Sequence, residues 1–75
     1  MTPDQRHALR RLARVPRGIV KTLMLAHGFT RELIATLVFA GLVTVVIDTA
    51  KVGEETIDVD LLMITDAGRK ALEEN

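Results

Sequence analysis

Two segments decide the fold of this chain: residues 30–43, TRELIATLVFAGLV, and residues 64–72, ITDAGRKAL. In the first segment, apolar residues recur with the 3.6-residue period of a helix as far as Gly41. Beyond Gly41 the chain becomes dense in β-branched residues, which favour a strand. The second segment closes another strand and opens a helix at Thr65, a residue type that caps helix N-termini. Together they predict an α+β fold with a helix, a β-hairpin and a last helix.

Two helices are predicted before these segments. The first begins at Thr2, whose side chain can cap it while Gln5 completes a capping box. It ends before Pro16, which disfavours helical geometry in the residue that precedes it. The second helix is predicted from about Arg17 to Ala26. The residues on its core-facing arc are Ile19, Val20, Leu23, Met24 and Ala26.

The second and third helices predict a helix-turn-helix unit, because a short glycine-containing turn separates them. The third helix runs from Arg31 to Ala40 and can be capped by Thr30, with Phe29 packing onto Ile34. Its outward face carries Arg31, Glu32, Ala35, Thr36 and Phe39.

The hairpin is predicted to have two strands. The first, Val43–Ile47, is rich in β-branched residues, and the turn lies at residues 50–55 with Gly53 as its pivot. In the second strand apolar and acidic residues alternate, which places Ile57, Val59, Leu61 and Met63 on one face.

The length of 75 residues predicts a single domain spanning residues 1–75. The chain contains no cysteine, which fits a reducing cytoplasm. Its longest uncharged run, residues 33–47, has 15 residues, whereas a membrane-spanning helix needs about 20, so no membrane association is expected. A chain this small and this apolar is expected to cover part of its surface by forming a homodimer or by binding another protein.

The zero net charge conceals an uneven distribution. Residues 1–31 hold seven cations and one anion, whereas residues 32–75 hold three cations and nine anions. One interpretation is a basic face that meets an anion or an acidic partner. The other is that the two halves attract each other, within the fold or across a dimer.

Residues 37–43, LVFAGLV, and residues 64–68, ITDAG, resemble a winged helix-turn-helix domain, and in particular MarR-like transcription regulators. In that family the recognition helix ends in a Leu/Val-x-x-Gly-Leu-Val run, and the chain leaves the wing through a Leu-Thr-x-x-Gly segment. The resemblance covers residues 17–72. It implies three helices, a two-stranded wing and a short C-terminal helix, with the recognition helix at residues 30–40 and the wing tip at residues 50–55.

The resemblance also implies binding to double-stranded DNA as a transcription regulator. Base reading requires long donor side chains, and the outward face of the third helix offers Arg31 beside Glu32. The wing tip offers Lys51 against Glu54 and Glu55. The concentrated cations lie instead on the first two helices, where they can neutralise phosphates without reading sequence. The candidate nucleic-acid contacts are Arg6, Arg10, Arg11, Arg14, Arg17, Lys21, Thr30, Arg31, Thr36 and Lys51.

The alternative hypothesis is a winged-helix module that binds protein or dimerises without contacting DNA. Phe39 either packs under the first helix or a neighbouring strand, or anchors a dimer or partner surface together with Ala35. No enzymatic activity, cofactor or metal is expected, because no nucleophile lies near a base and His7 and His27 are too distant in sequence to form a helical ligand pair. The acids Asp48, Asp58 and Asp60 can converge across the hairpin or simply solubilise its wet face.

Overall fold

The computed structural model describes residues 1–74, which form four helices and a three-stranded antiparallel sheet. The elements in chain order are α1 (Pro3–Ala13), β1 (Ile19–Val20), α2 (Lys21–Ala26), α3 (Arg31–Phe39), β2 (Val43–Val52), β3 (Glu55–Ile64) and α4 (Asp66–Glu73). The strands are ordered β1-β3-β2. The α+β class and the order of the predicted elements are therefore confirmed.

The start of the second helix was predicted four residues too early, and one strand was missed. Gly18 has a φ of 97°, a left-handed conformation that interrupts a helix. The next two residues form β1, in which Ile19 pairs with Leu62 and Val20 with Leu61. The sheet therefore has three strands among the described residues, and the predicted two-stranded hairpin is only part of it.

The late start of α2 also changes which of its residues are buried. Met24 is fully buried, whereas Leu23 is 51% exposed and Ala26 is exposed. Leu23 and Ala26 were predicted in the core on the assumption of one continuous helix from Arg17. Because β1 anchors the N-terminal end of α2 to the sheet, it sets a different rotation for this six-residue helix.

The hairpin is longer than the sequence pattern predicts. Its ladder continues to the pair Val52–Glu55, so that the loop contains only Gly53 and Glu54. Gly53 has a φ of 65°, as the first central residue of a type II′ turn requires. The ten-residue strands project from the helices and stretch the molecule to 45 × 22 × 20 Å.

The three predicted threonine caps are confirmed. Thr2 accepts a hydrogen bond from the Gln5 N–H and donates its own N–H to the Gln5 side chain, both at 3.1 Å. Thr30 accepts from the Leu33 N–H at 3.1 Å, and Thr65 accepts from the Gly68 N–H at 3.1 Å. Each bond satisfies a donor that the first helical turn leaves without an intrahelical partner.

The core is largely aliphatic and lies where α1, α2, α3 and the base of the hairpin meet. Its fully buried large side chains are Leu9, Leu12, Met24, Leu37 and Leu62. Phe29 and Ile34 belong to the same buried cluster, in agreement with the predicted packing at the start of α3.

The N-terminus of α4 is bonded to the turn that connects α3 with β2. The Thr65 hydroxyl donates to the Gly41 carbonyl oxygen at 2.7 Å, and the Thr65 N–H donates to the Leu42 carbonyl oxygen at 3.1 Å. Gly68 is buried directly against Leu42. The approach is so close that a Cβ at this position would overlap the Leu42 carbonyl oxygen. This junction fixes the direction in which the hairpin leaves the helices.

Candidate interaction surfaces

The exposed face of α3 is dominated by Phe39, whose side chain is 95% exposed. Ile34 and Leu37 are buried on the other side of this helix, so the residues that follow the same period outward are Arg31, Ala35, Thr36 and Phe39. No element of the described chain covers Phe39. The expectation that it packs under the first helix or a strand is therefore wrong.

An apolar groove of about 320 Å³ runs between α3 and the hairpin. Its lining includes Ile34, Ala35, Val38 and Phe39 from α3 and Val45 from β2, together with the side chains of Lys21 and Arg31. We call this feature the α3–β2 groove. It brings together the two predicted interface residues, Ala35 and Phe39.

A second cavity, of about 270 Å³, adjoins this groove and is more polar. It is lined by Thr22, Lys21 and Arg31 on the helical side and by Asp58 and Asp60 on β3. Because Lys21 and Arg31 line both cavities, they lie between the apolar groove and the two carboxylates. Arg31, the predicted base-reading donor, therefore faces an acidic part of the hairpin.

The two faces of the hairpin differ in charge and exposure. Val43 and Leu62 are buried on the inner face. The pairs Ile47–Asp60 and Thr49–Asp58 follow outward on this face, and Ile47 is 70% exposed. Of the two interpretations of Asp48, Asp58 and Asp60, convergence of all three is excluded, because the register places Asp48 opposite Val59 on the outer face.

The outer face of the hairpin is an apolar stripe flanked by acids. Side chains alternate along each strand, so this face carries the predicted set Ile57, Val59, Leu61 and Met63, which indeed share one side. Val46, Ala50 and Val52 lie across from them on β2, and the acids on the same face are Asp48 and Glu55. Toward the tip, Val52 and Ile57 are exposed.

The predicted basic stripe is only partly available at the surface. Arg10 on α1, Arg14 at the C-cap of α1 and Arg17 in the following turn are exposed, whereas Arg6 and Arg11 are half-buried. Lys21 is also half-buried and lines the α3–β2 groove. The surface that can meet a phosphate backbone on this side of the molecule is therefore centred on three arginines.

The other predicted nucleic-acid contacts occupy different positions. The Thr30 hydroxyl oxygen caps α3, and the Thr36 hydroxyl donates to the Glu32 carbonyl oxygen at 2.9 Å. Lys51 is exposed opposite Thr56, close to the exposed Glu54 and Glu55 of the tip. The structure does not bring these residues together with the α1 arginines on one element.

The two histidines are closer in the fold than their separation in sequence suggests. His7 and His27 both line a small cavity of about 160 Å³, together with Asp4 and Phe29. The His7 ring meets the Phe29 ring edge-on, with centroids 5.2 Å apart and an interplanar angle of 66°. Within residues 1–74, no group of three or more histidine or carboxylate side chains is arranged to hold a metal ion.

Among the described residues, no helix combines the length and the apolar character that crossing a membrane requires.

Comparisons with protein-family models, with curated protein sequences and with solved structures found no match to this chain. The function proposed below therefore rests on the exposure, charge and geometry of the surfaces described above.

Proposed function

We propose that this chain is a winged-helix interaction module of the MarR-like type, and that its α3–β2 groove binds another polypeptide. The order of three helices, a hairpin and a last helix supports the winged-helix layout. The role is binding rather than catalysis. A chain without cysteine suits the reducing cytoplasm, where we place it.

The observation that carries this proposal is the exposure of Phe39. Burying a phenylalanine side chain contributes about 1.5–3 kcal/mol, and within this chain nearly all of that contribution is unrealised. Aromatic residues beside an apolar pocket are typical anchors of protein interfaces. Phe39 stands at such a groove, together with Ala35 and Val38.

The same surface is poorly suited to reading DNA. Base edges are recognised mostly by long donor and amide side chains, but the exposed positions of α3 between Arg31 and its end carry Glu32, Ala35, Thr36 and Phe39. The Thr36 hydroxyl already donates to the backbone. The carboxylates of Asp58 and Asp60 share a cavity with Arg31, where they would repel a phosphate backbone.

A site-specific photocrosslink tests the proposal. The photoreactive phenylalanine analogue benzoylphenylalanine replaces Phe39 in one variant and Leu23 in a matched control, because Leu23 is also an exposed apolar residue but lies outside the groove. After irradiation in the expressing cells, we expect a covalent protein adduct at position 39 and much less at position 23. Equal yields at the two positions, or no adduct at either, would contradict the proposal.

A second candidate function is sequence-independent binding of nucleic acid by α1. It is supported by the exposure of Arg10, Arg14 and Arg17. Each arginine that neutralises a phosphate contributes about 0.9 to the slope of log affinity against log salt. Three such contacts give salt-sensitive affinity without base recognition.

An amide-shift titration with duplex DNA at low and moderate salt tests this candidate. Replacing Arg10, Arg14 or Arg17 singly with glutamine should weaken binding by similar factors on any sequence and lower the salt slope by about one unit each. Lys70→Gln on α4 removes the same charge elsewhere and should have a smaller effect. If the triple arginine variant binds as tightly as the wild type, these arginines have no role in nucleic-acid binding.

A further inference from the structure

We infer that the polypeptide in the α3–β2 groove is the hairpin of a second copy of this chain. In the resulting two-fold dimer, each copy inserts its hairpin into the groove of the other. This inference rests on the proposed function, because it names the occupant of the same groove. Three observations support a second copy over an unrelated partner: excess surface, segregated charge and a matching pair of surfaces.

The chain exposes more surface than a folded monomer of its size. An 8.3 kDa protein is expected to expose about 4,600 Å², whereas this chain exposes 5269 Å². The excess of roughly 700 Å² is close to the ~800 Å² that each partner buries in an interface of standard size. The radius of gyration is likewise 12.7 Å, against about 11 Å expected for a compact domain of this length. The projecting hairpin accounts for the elongation.

Charge is divided between the two parts that would meet. Residues 1–42 hold seven cations and two anions, and residues 43–64, which form the hairpin, hold one cation and five anions. The net charge is therefore −4 for the hairpin and +5 for residues 1–42. The hairpin of one copy would be attracted to residues 1–42 of a second copy. Because each copy has both parts, a two-fold axis lets the hairpin of each copy contact the helices of the other, so that the same contact is made twice.

The groove and the outer face of the hairpin are also complementary in the types of residue that they carry. The groove combines apolar side chains with two cations, Lys21 and Arg31. The outer face near the tip combines apolar side chains with two acids and carries no cation; its residues are Asp48, Ala50, Val52, Glu55, Ile57 and Val59. Apolar contact and opposite charge would thus be satisfied together, with Phe39 against the apolar stripe.

Analytical ultracentrifugation over a concentration series tests whether the dimer exists. We expect the mass to rise from 8.3 kDa to twice that value, and Phe39→Ser to weaken the association at least about tenfold. Leu23→Ser is the matched control and should dimerise like the wild type. A wild-type chain that stays at 8.3 kDa at every concentration overturns the inference.

Charge reversal tests which surfaces meet. One variant carries Lys21→Glu and Arg31→Glu in the groove, and the other carries Asp48→Lys and Glu55→Lys on the hairpin. Each alone should remain monomeric, because its groove and hairpin have like charges, whereas an equimolar mixture should form dimers with one chain of each kind. Circular dichroism establishes that each variant is folded, and the Phe39→Ser comparison stands if either is not.

A control for net charge carries Glu73→Lys and Glu74→Lys, which make the same charge change at exposed positions of the C-terminal end. The control keeps both contact surfaces and should dimerise with itself, but mixing it with the groove variant should give far fewer dimers with one chain of each kind than the hairpin variant gives. If it gives as many of these dimers as the hairpin variant, or if two folded partner variants fail to associate, the hairpin does not enter the groove.

The photocrosslink separates this inference from the proposed function. An adduct at position 39 with twice the chain mass supports both. An adduct of a different mass, from a chain that sediments as a monomer, overturns the second copy and leaves the proposed function standing. The absence of any adduct at position 39 overturns both.

Discussion

Replacing Gly68 with alanine should destabilise the fold, although the same change at most helical positions stabilises it. Gly68 lies in the first turn of α4, where alanine is favoured over glycine by about 1 kcal/mol. Here, however, the added Cβ would overlap the Leu42 carbonyl oxygen and would lie 2.7 Å from Cγ1 of Ile64. The carbonyl group belongs to backbone that is itself hydrogen-bonded, so it cannot move aside without other losses.

The size of the effect follows from what must move. Lifting α4 away from Leu42 stretches the bond from the Thr65 N–H to the Leu42 oxygen and the bond from the Thr65 hydroxyl to the Gly41 oxygen. Each contributes about 0.5–1.5 kcal/mol, and overpacking adds about 1–3 kcal/mol. After the gain of about 1 kcal/mol in helix propensity, we expect a net loss of about 1–5 kcal/mol, out of a total stability of roughly 4–11 kcal/mol for a domain of this length.

Urea unfolding followed by far-ultraviolet circular dichroism measures this loss, because the chain has no tryptophan or tyrosine to serve as a fluorescent probe. The matched control is Ala67→Gly at the exposed neighbouring position, which should cost only about 1 kcal/mol. If Gly68→Ala unfolds at the same urea concentration as the wild type, or at a higher one, the close approach of α4 to Leu42 does not constrain the fold.

Three further predictions use the same unfolding assay. Leu62→Ala should lower the free energy of unfolding by about 2–5 kcal/mol, because Leu62 is fully buried in the central strand and its truncation leaves a cavity. A loss below about 1 kcal/mol would show that neighbouring side chains move in to fill this cavity. Thr2→Ala removes the hydroxyl oxygen that accepts from the Gln5 N–H, one of the two bonds of the capping box, and should cost about 0.5–2 kcal/mol, whereas an unchanged midpoint would mean that the end of α1 is frayed. Phe39→Ser should change the stability of the monomer by less than about 0.5 kcal/mol, because the side chain is 95% exposed; a large loss would place Phe39 in the core instead.

The starts of α1, α3 and α4 were predictable from sequence because each depends on a threonine cap and a residue only three positions away. The bond between Thr30 and the Leu33 N–H, like those at Thr2 and Thr65, needs no distant partner. The change of period at Gly41 was equally local, and it identified the passage from α3 to the hairpin. Alternation along β3 also placed Ile57, Val59, Leu61 and Met63 correctly on one face.

The features that form the candidate site depend on contacts between residues far apart in the chain. β1 is only two residues long, and it exists because Ile19 and Val20 pair with residues 61–62; nothing local distinguishes it from the first turn of a helix. The register that separates Asp48 from Asp58 and Asp60 is likewise a property of both strands together.

The exposure of Phe39 shows most clearly which features the local sequence determines and which depend on tertiary contacts. The helical period of residues 30–40 determined by itself that Phe39 points away from the buried side of α3. Whether another element covers that outward side depends on where the hairpin leaves the helices, and this direction is set by the bonds of Thr65 to Gly41 and Leu42. Local hydrogen bonds and periodicity are encoded within a few residues, but an exposed groove is formed only when elements distant in sequence pack against one another.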